Sequence, residues 1–144
     1  MALNVDHLLR TVMTLEQALL AIEQNPASPE NVMFDLYRNA AIKSFELSLE
    51  TAGKLLRKAL KAYEASPRTV DAWVFNDVLR QAGKHGLLSI AEVERWLAYR
   101  ANRNNTAHDY GEGFANDTLK LLPTYLQDVR HLAQALQKAF DASA

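Results

Sequence analysis

The feature that most constrains this chain is one long apolar stripe: Phe34, Ala41, Phe45, Leu49, Ala52, Leu56, Ala59 and Tyr63 recur at steps of three, four and seven residues. That spacing stays on one face of an α-helix for about eight turns, and no strand can reproduce it. It predicts a helix that opens at Ser28-Pro29, where a serine N-cap precedes a proline at the first helical position, and runs to about Ala65, before Ser66-Pro67. A helix so long must be the spine of a bundle. Upstream, Leu8, Val12, Leu15, Leu19 and Ile22 predict a first helix over roughly residues 3–24, with Arg10, Glu16, Gln17, Glu23 and Gln24 on its wet side. Downstream, Val70, Val74, Val78 and Ala82 give a shorter helix that ends near Gly83 to Gly86. Ser89 and Glu92 form a capping box that opens a fourth long segment through Val93, Trp96, Leu97 and Arg100. The last helix begins after Tyr110-Gly111-Glu112-Gly113 and turns Leu119, Leu122, Leu126, Val129, Leu132, Leu136 and Phe140 inward, with Pro123 expected to kink it or mark its effective start. The expected architecture is all-α, an antiparallel up-and-down bundle of four main helices plus one shorter helix, in a single domain over residues 1–144.

Composition narrows the function. A chain of 144 residues, 49% of them hydrophobic, can bury its own core without staples. The net charge of -1 rules out a global basic field, so any contact with nucleic acid needs local positive charge. The absence of cysteine removes thiolate metal sites and cysteine nucleophiles. The segment Met1 to His7 lacks a basic stretch followed by an apolar core, and no run reaches membrane-spanning length, so a cytoplasmic protein without membrane contact is expected.

Chemistry concentrates in Arg100-Ala101-Asn102-Arg103-Asn104-Asn105-Thr106-Ala107-His108-Asp109-Tyr110. Arg103 and His108 have a joint use in phosphodiester cleavage: a guanidinium matches phosphate oxygens bidentately, and an imidazole exchanges protons near neutral pH. Such a pair needs no metal or other cofactor, and it requires the 2'-hydroxyl of RNA, which DNA lacks. On an ideal helix the two side chains stand about 140° apart, so His108 joins Arg103 only where the helix ends or bends. Spacing by itself leaves the choice open, since an arginine and a histidine five residues apart also arise by chance and Tyr110 beside a helix end is an ordinary packing residue.

Arg103, four residues, His108, one residue and Tyr110 reproduce the R-x4-H-x-Y pattern of HEPN toxins, with the polar Asn104 directly after the arginine. Residues 37–50, from Tyr37-Arg38-Asn39 to Ser48-Leu49-Glu50, resemble the long helix of the nucleotidyltransferase substrate-binding branch of that superfamily. Leu79 to Leu88 resemble its short-helix turn, and Trp96-Leu97 precede the motif as they do there. One departure is Gly53, where the branch usually carries a tryptophan. The resemblance implies a single HEPN-like domain acting as the toxin of a toxin-antitoxin pair. Such a toxin is a metal-independent endoribonuclease that works as a homodimer, with motifs of both subunits lining one cleft. It implies Arg103 and His108 as catalytic and Asn104 as supporting. It also implies a cognate minimal nucleotidyltransferase as antitoxin, which adds AMP to Tyr110.

Around the motif, Glu46 and Glu50 lie one turn apart on the second helix, placed to pair with Arg103 or Arg100 across the bundle or simply to face solvent. Arg95 and Arg100 extend the positive cleft if they face it. Lys54, Arg57, Lys58 and Lys61 read as a solvated flank, and His7, His85 and His131 as incidental. The alternative function is a non-catalytic subunit that presents substrate to a nucleotidyltransferase.

Overall fold

A computed structural model describes residues 3–26, 28, 30–106 and 112–140, and every regular element in them is helical. The order is α1 (Asp6–Gln24), α2 (Val32–Leu60), α3 (Pro67–Ala72), α4 (Phe75–Lys84), α5 (Ile90–Thr106) and α6 (Glu112–Phe140). The four long helices form the bundle, with α2 as the spine: it packs along α1 and also meets α6, α4 and α3. Its stripe points inward as expected, with Phe45, Leu49 and Leu56 fully buried against Leu8 and Leu15 of α1 and Leu122, Leu132 and Leu136 of α6.

Helix ends follow local chemistry. The α2 N-cap is Asn31, whose side-chain oxygen accepts from the Phe34 amide at 3.2 Å, so the helix starts three residues beyond the expected Ser28-Pro29 cap. Ser28 instead accepts from the Glu30 amide at 3.2 Å, closing the turn that precedes the helix. At the other end α2 stops at Leu60 rather than near Ala65. The amides of Ala62 and Tyr63 bond back three residues, to Ala59 and Leu60, which tightens the chain into a turn. Tyr63 therefore leaves the stripe and stacks on His85, with ring centroids 4.6 Å apart. The capping box at the start of α5 is present in both directions: the Ser89 amide donates to Glu92 Oε1 at 3.0 Å, and the Glu92 amide donates to Ser89 Oγ at 3.1 Å. Helix α4 ends in a Schellman motif at Gly86, whose φ of 76° is the left-handed conformation that glycine adopts without strain. The Leu87 amide reaches Ala82 O at 2.9 Å and the Gly86 amide reaches Gly83 O at 3.2 Å.

Several expectations are corrected. The single shorter helix is divided into α3 and α4 by the extended residues Trp73 and Val74. Arg57 Nη1 donates to the carbonyls of Val70 at 2.7 Å and Trp73 at 2.9 Å, so the side chain of α2 takes the place of the amide that would have continued α3. Arg57 is thus a structural tie and not part of a solvated flank, and Val74 is exposed instead of inward. Of the two alternatives for Pro123, an effective start of α6 is not what forms: the helix extends from Glu112 through the proline, which is exposed.

Candidate active site

Helices α2, α4 and α5 enclose a cleft of about 430 Å3. From α2 come Glu46, Glu50, Gly53, Lys54 and Arg57, from α4 Phe75, and from α5 Arg100 and Arg103. Four cations face two carboxylates, so this wall is locally positive on a chain whose net charge is -1. It is the local charge that binding of a polyanion would require.

Helix α5 is fixed in place by two devices, one buried and one at the edge of the core. Trp96 and Tyr99 join Tyr125 of α6 and, through it, Phe45 of α2 in edge-to-face contacts, with centroids 4.8 to 5.8 Å apart. The Tyr125 hydroxyl lies 2.5 Å from Ser48 Oγ, and burial pushes that phenol above its ordinary range. Beside this cluster, Arg95 forks onto Asp128, Nε to Oδ2 and Nη2 to Oδ1, both at 2.8 Å, and the Tyr99 hydroxyl donates to Asp128 Oδ2 at 2.5 Å. Burial opposes the charged carboxylate, but the bonds from Arg95 and Tyr99 outweigh it and hold Asp128 below its usual range. Burial first, then the bond to Asp128, pushes Tyr99 up. Arg95 therefore clamps α5 to α6 and does not extend the cleft.

The clamp leaves Arg100 and Arg103 on the following turns, facing α2 and α4. Arg103 Nε lies 3.9 Å from Glu46 Oε2, a pair of which each side chain is about one-quarter to one-third exposed. Glu50 faces Lys54 instead, at 3.8 Å on the exposed side. Arg100 takes neither carboxylate: its guanidinium lies over the Phe75 ring, 4.8 Å from the centroid. Asn104 is exposed, next to Arg103 on the last turn of α5. His108, Asp109 and Tyr110 lie outside the described residues, and α5 is described to Thr106. Among the described residues no three metal-ligating side chains gather, and no helix is long and apolar enough to cross a membrane.

Sequence reasoning missed four of the cleft residues: Lys54 and Arg57, read there as a solvated flank, and Phe75 and Gly53. A Cβ on Gly53 would stand 2.3 Å from Phe75 Cε2, so the ring occupies the space above the glycine, at the position where the resemblance places a tryptophan. An aromatic from α4 fills what an aromatic from α2 would otherwise fill. The exchange had one signal, the glycine itself in the middle of a long helix. Gly53→Ala is expected to cost about 1–2 kcal/mol through overpacking, and Phe75→Leu in the same chain should recover part of it; urea midpoints of the two single variants and the double variant measure the coupling.

A helical bundle whose long central helix and α5, carrying Arg100 and Arg103, face each other across a charged cleft defines a class, and comparison with known proteins supplies the family. The chain belongs to the family described as nucleotidyltransferase substrate binding protein like, matched over residues 3–138. It is similar to a probable ribonuclease HepT of Haemophilus influenzae, 27% identical over 138 residues that cover 94% of this chain and 93% of the relative. Its fold is similar to that of a solved Haemophilus influenzae structure described as a substrate binding domain of a nucleotidyltransferase, with a TM-score of 0.82, 26% identity, and coverage of 93% of this chain and 99% of the other. A Thermus thermophilus structure matches with a TM-score of 0.65 at 27% identity, covering 85% of this chain and 98% of the other.

Proposed function

We propose that this protein is a metal-independent endoribonuclease, the toxin of a HEPN toxin-antitoxin pair. The observation that carries the proposal is the position of Arg103: it opens into a locally positive cleft, on a chain similar over nearly its whole length to a probable ribonuclease. In the reaction, His108 takes the proton of a ribose 2'-hydroxyl or supplies one to the leaving oxygen. The 2'-oxygen attacks the adjacent phosphorus, the bond from phosphorus to the 5'-oxygen breaks, and a 2',3'-cyclic phosphate and a 5'-hydroxyl result. Arg103 holds the phosphate oxygens as negative charge builds, and Asn104 orients them. The protein works as a cytoplasmic homodimer. A cognate minimal nucleotidyltransferase silences it by adding AMP to Tyr110, which brings negative charge and bulk into the motif whose arginine must receive RNA phosphate.

Purified protein is expected to cleave RNA equally well with and without a chelator, read on a gel and by the cyclic ends of the products. Intact RNA after incubation with wild type would overturn the enzyme reading. Incubation with the cognate nucleotidyltransferase and ATP should add AMP masses that Tyr110→Phe abolishes. The second reading, a non-catalytic subunit that presents substrate to a nucleotidyltransferase, is favoured by the family's description and by that of the Haemophilus influenzae structure. It expects a stable complex with the nucleotidyltransferase and no RNA loss.

A further inference from the structure

We propose that the inner corner of the cleft is a second RNA subsite, in which Arg100, held over the Phe75 ring, and Lys54 take the nucleotide next to the one whose phosphate Arg103 holds. The ligand class rests on the ribonuclease reading; the subsite itself rests on geometry. Arg100 and Arg103 are three residues apart on α5 and both line the cleft. Such neighbours stand about 5–6 Å apart at their Cβ atoms, the order of the separation between successive phosphates of one RNA strand. A cleft of about 430 Å3 falls within the range of small-ligand sites, so it has room for a nucleotide and not only for an ion.

The state of Arg100 distinguishes it from an ordinary surface arginine. Its guanidinium rests 4.8 Å from the Phe75 centroid, and Phe75 is itself seated on Gly53 with no space for a Cβ between them. The cation–π contact holds the guanidinium at the cleft wall, so it meets a phosphate with less ordering left to do than a freely rotating arginine would need. Lys54 borders the same space from α2 and makes an exposed contact with Glu50, 3.8 Å away, which a phosphate can replace. Arg57 adds charge at the wall while its Nη1 stays bound to the Val70 and Trp73 carbonyls. Glu46 and Glu50 keep the wall from becoming a general anion trap and leave it two charges positive. The glycine at position 53 thereby gains a purpose: it lets an aromatic ring reach under Arg100.

The test uses a mixed-sequence hexaribonucleotide with a 2'-O-methyl group on every residue, which the proposed reaction cannot cleave, and follows its binding by anisotropy over a range of salt. Wild type should bind with a salt-dependent Kd. Arg100→Gln and Lys54→Gln should each bind about tenfold more weakly, with the salt slope reduced by about 0.7 for each phosphate that is no longer neutralised. Arg100→Lys should keep the slope yet lose affinity, because it retains the charge without the planar fork that meets a phosphate bidentately; a purely structural arginine predicts no such split. Thermal melts confirm that each variant is folded. Wild-type affinity and slope in both glutamine variants would overturn the subsite, and with wild type still cleaving unmodified RNA the ribonuclease reading would stand. If wild type neither cleaves RNA nor binds the analogue, that reading fails and the subsite with it.

Discussion

Arg103→Ala is expected to lower kcat for RNA cleavage by about 10²–10³-fold, the range seen when one preorganised donor to a developing oxyanion is removed. The loss should fall on kcat more than on KM, because the charge that Arg103 meets is larger in the transition state than in bound RNA. Arg103→Lys keeps a positive charge but not the planar fork, so it should recover only part of the rate. Glu46→Gln separates holding from catalysis. The Glu46 contact, at 3.9 Å between partly exposed side chains, is weak enough for an RNA phosphate to displace. Its removal should change kcat by no more than a few-fold, through a less ordered Arg103. Single-turnover cleavage of a short RNA, measured for the three variants under one salt condition, checks the order. Equal rates for Arg103→Ala and wild type would remove Arg103 from the chemistry altogether.

Which parts of this molecule were legible in the sequence follows from the range of the forces involved. The α2 stripe and the Ser89–Glu92 box were readable because helical period and capping act within a few residues. The break between α3 and α4 was not, because it depends on Arg57 reaching carbonyls 13 and 16 residues away. Arg95 shows the same limit more sharply. In sequence it stood beside Arg100 as one of two cations on the same helix that would extend the cleft if they faced it. Its partner Asp128 is 33 residues away on α6, and only that carboxylate turns it from the cleft into a clamp. The cleft belongs to the illegible part for the same reason. Glu46 opposite Arg103 was one of several pairings that helix spacing allowed, whereas Phe75 under Arg100 came from α4, a helix the periodic reading had merged with α3. Gly53 sat in plain sight as an anomaly, and its meaning required knowing which ring approached it.

Asp128→Ala is expected to destabilise the fold by about 3 kcal/mol, enough to lower Tm by roughly 10 °C in a domain of this size. Asp128 is 4% exposed and satisfies two neighbours at once. Removing it strands the Tyr99 hydroxyl, which is buried, and frees the guanidinium that fastens α5 to α6. The pH dependence has a definite sign. Because the carboxyl is held below its usual range in the folded state, its contribution is fully present above the ordinary aspartate pKa of about 4 and is lost as pH falls through the lower, folded value. Urea midpoints of wild type should therefore drop between pH 5 and pH 2 by more than those of Asp128→Asn, which has no such proton to gain. Equal drops would mean that the clamp's charge adds nothing to the acid sensitivity. The same variant links stability to the site: Tyr99 stands one turn before Arg103 on α5, so a loosened clamp should let the guanidinium wander and reduce RNA cleavage in Asp128→Asn even at temperatures where the protein remains folded.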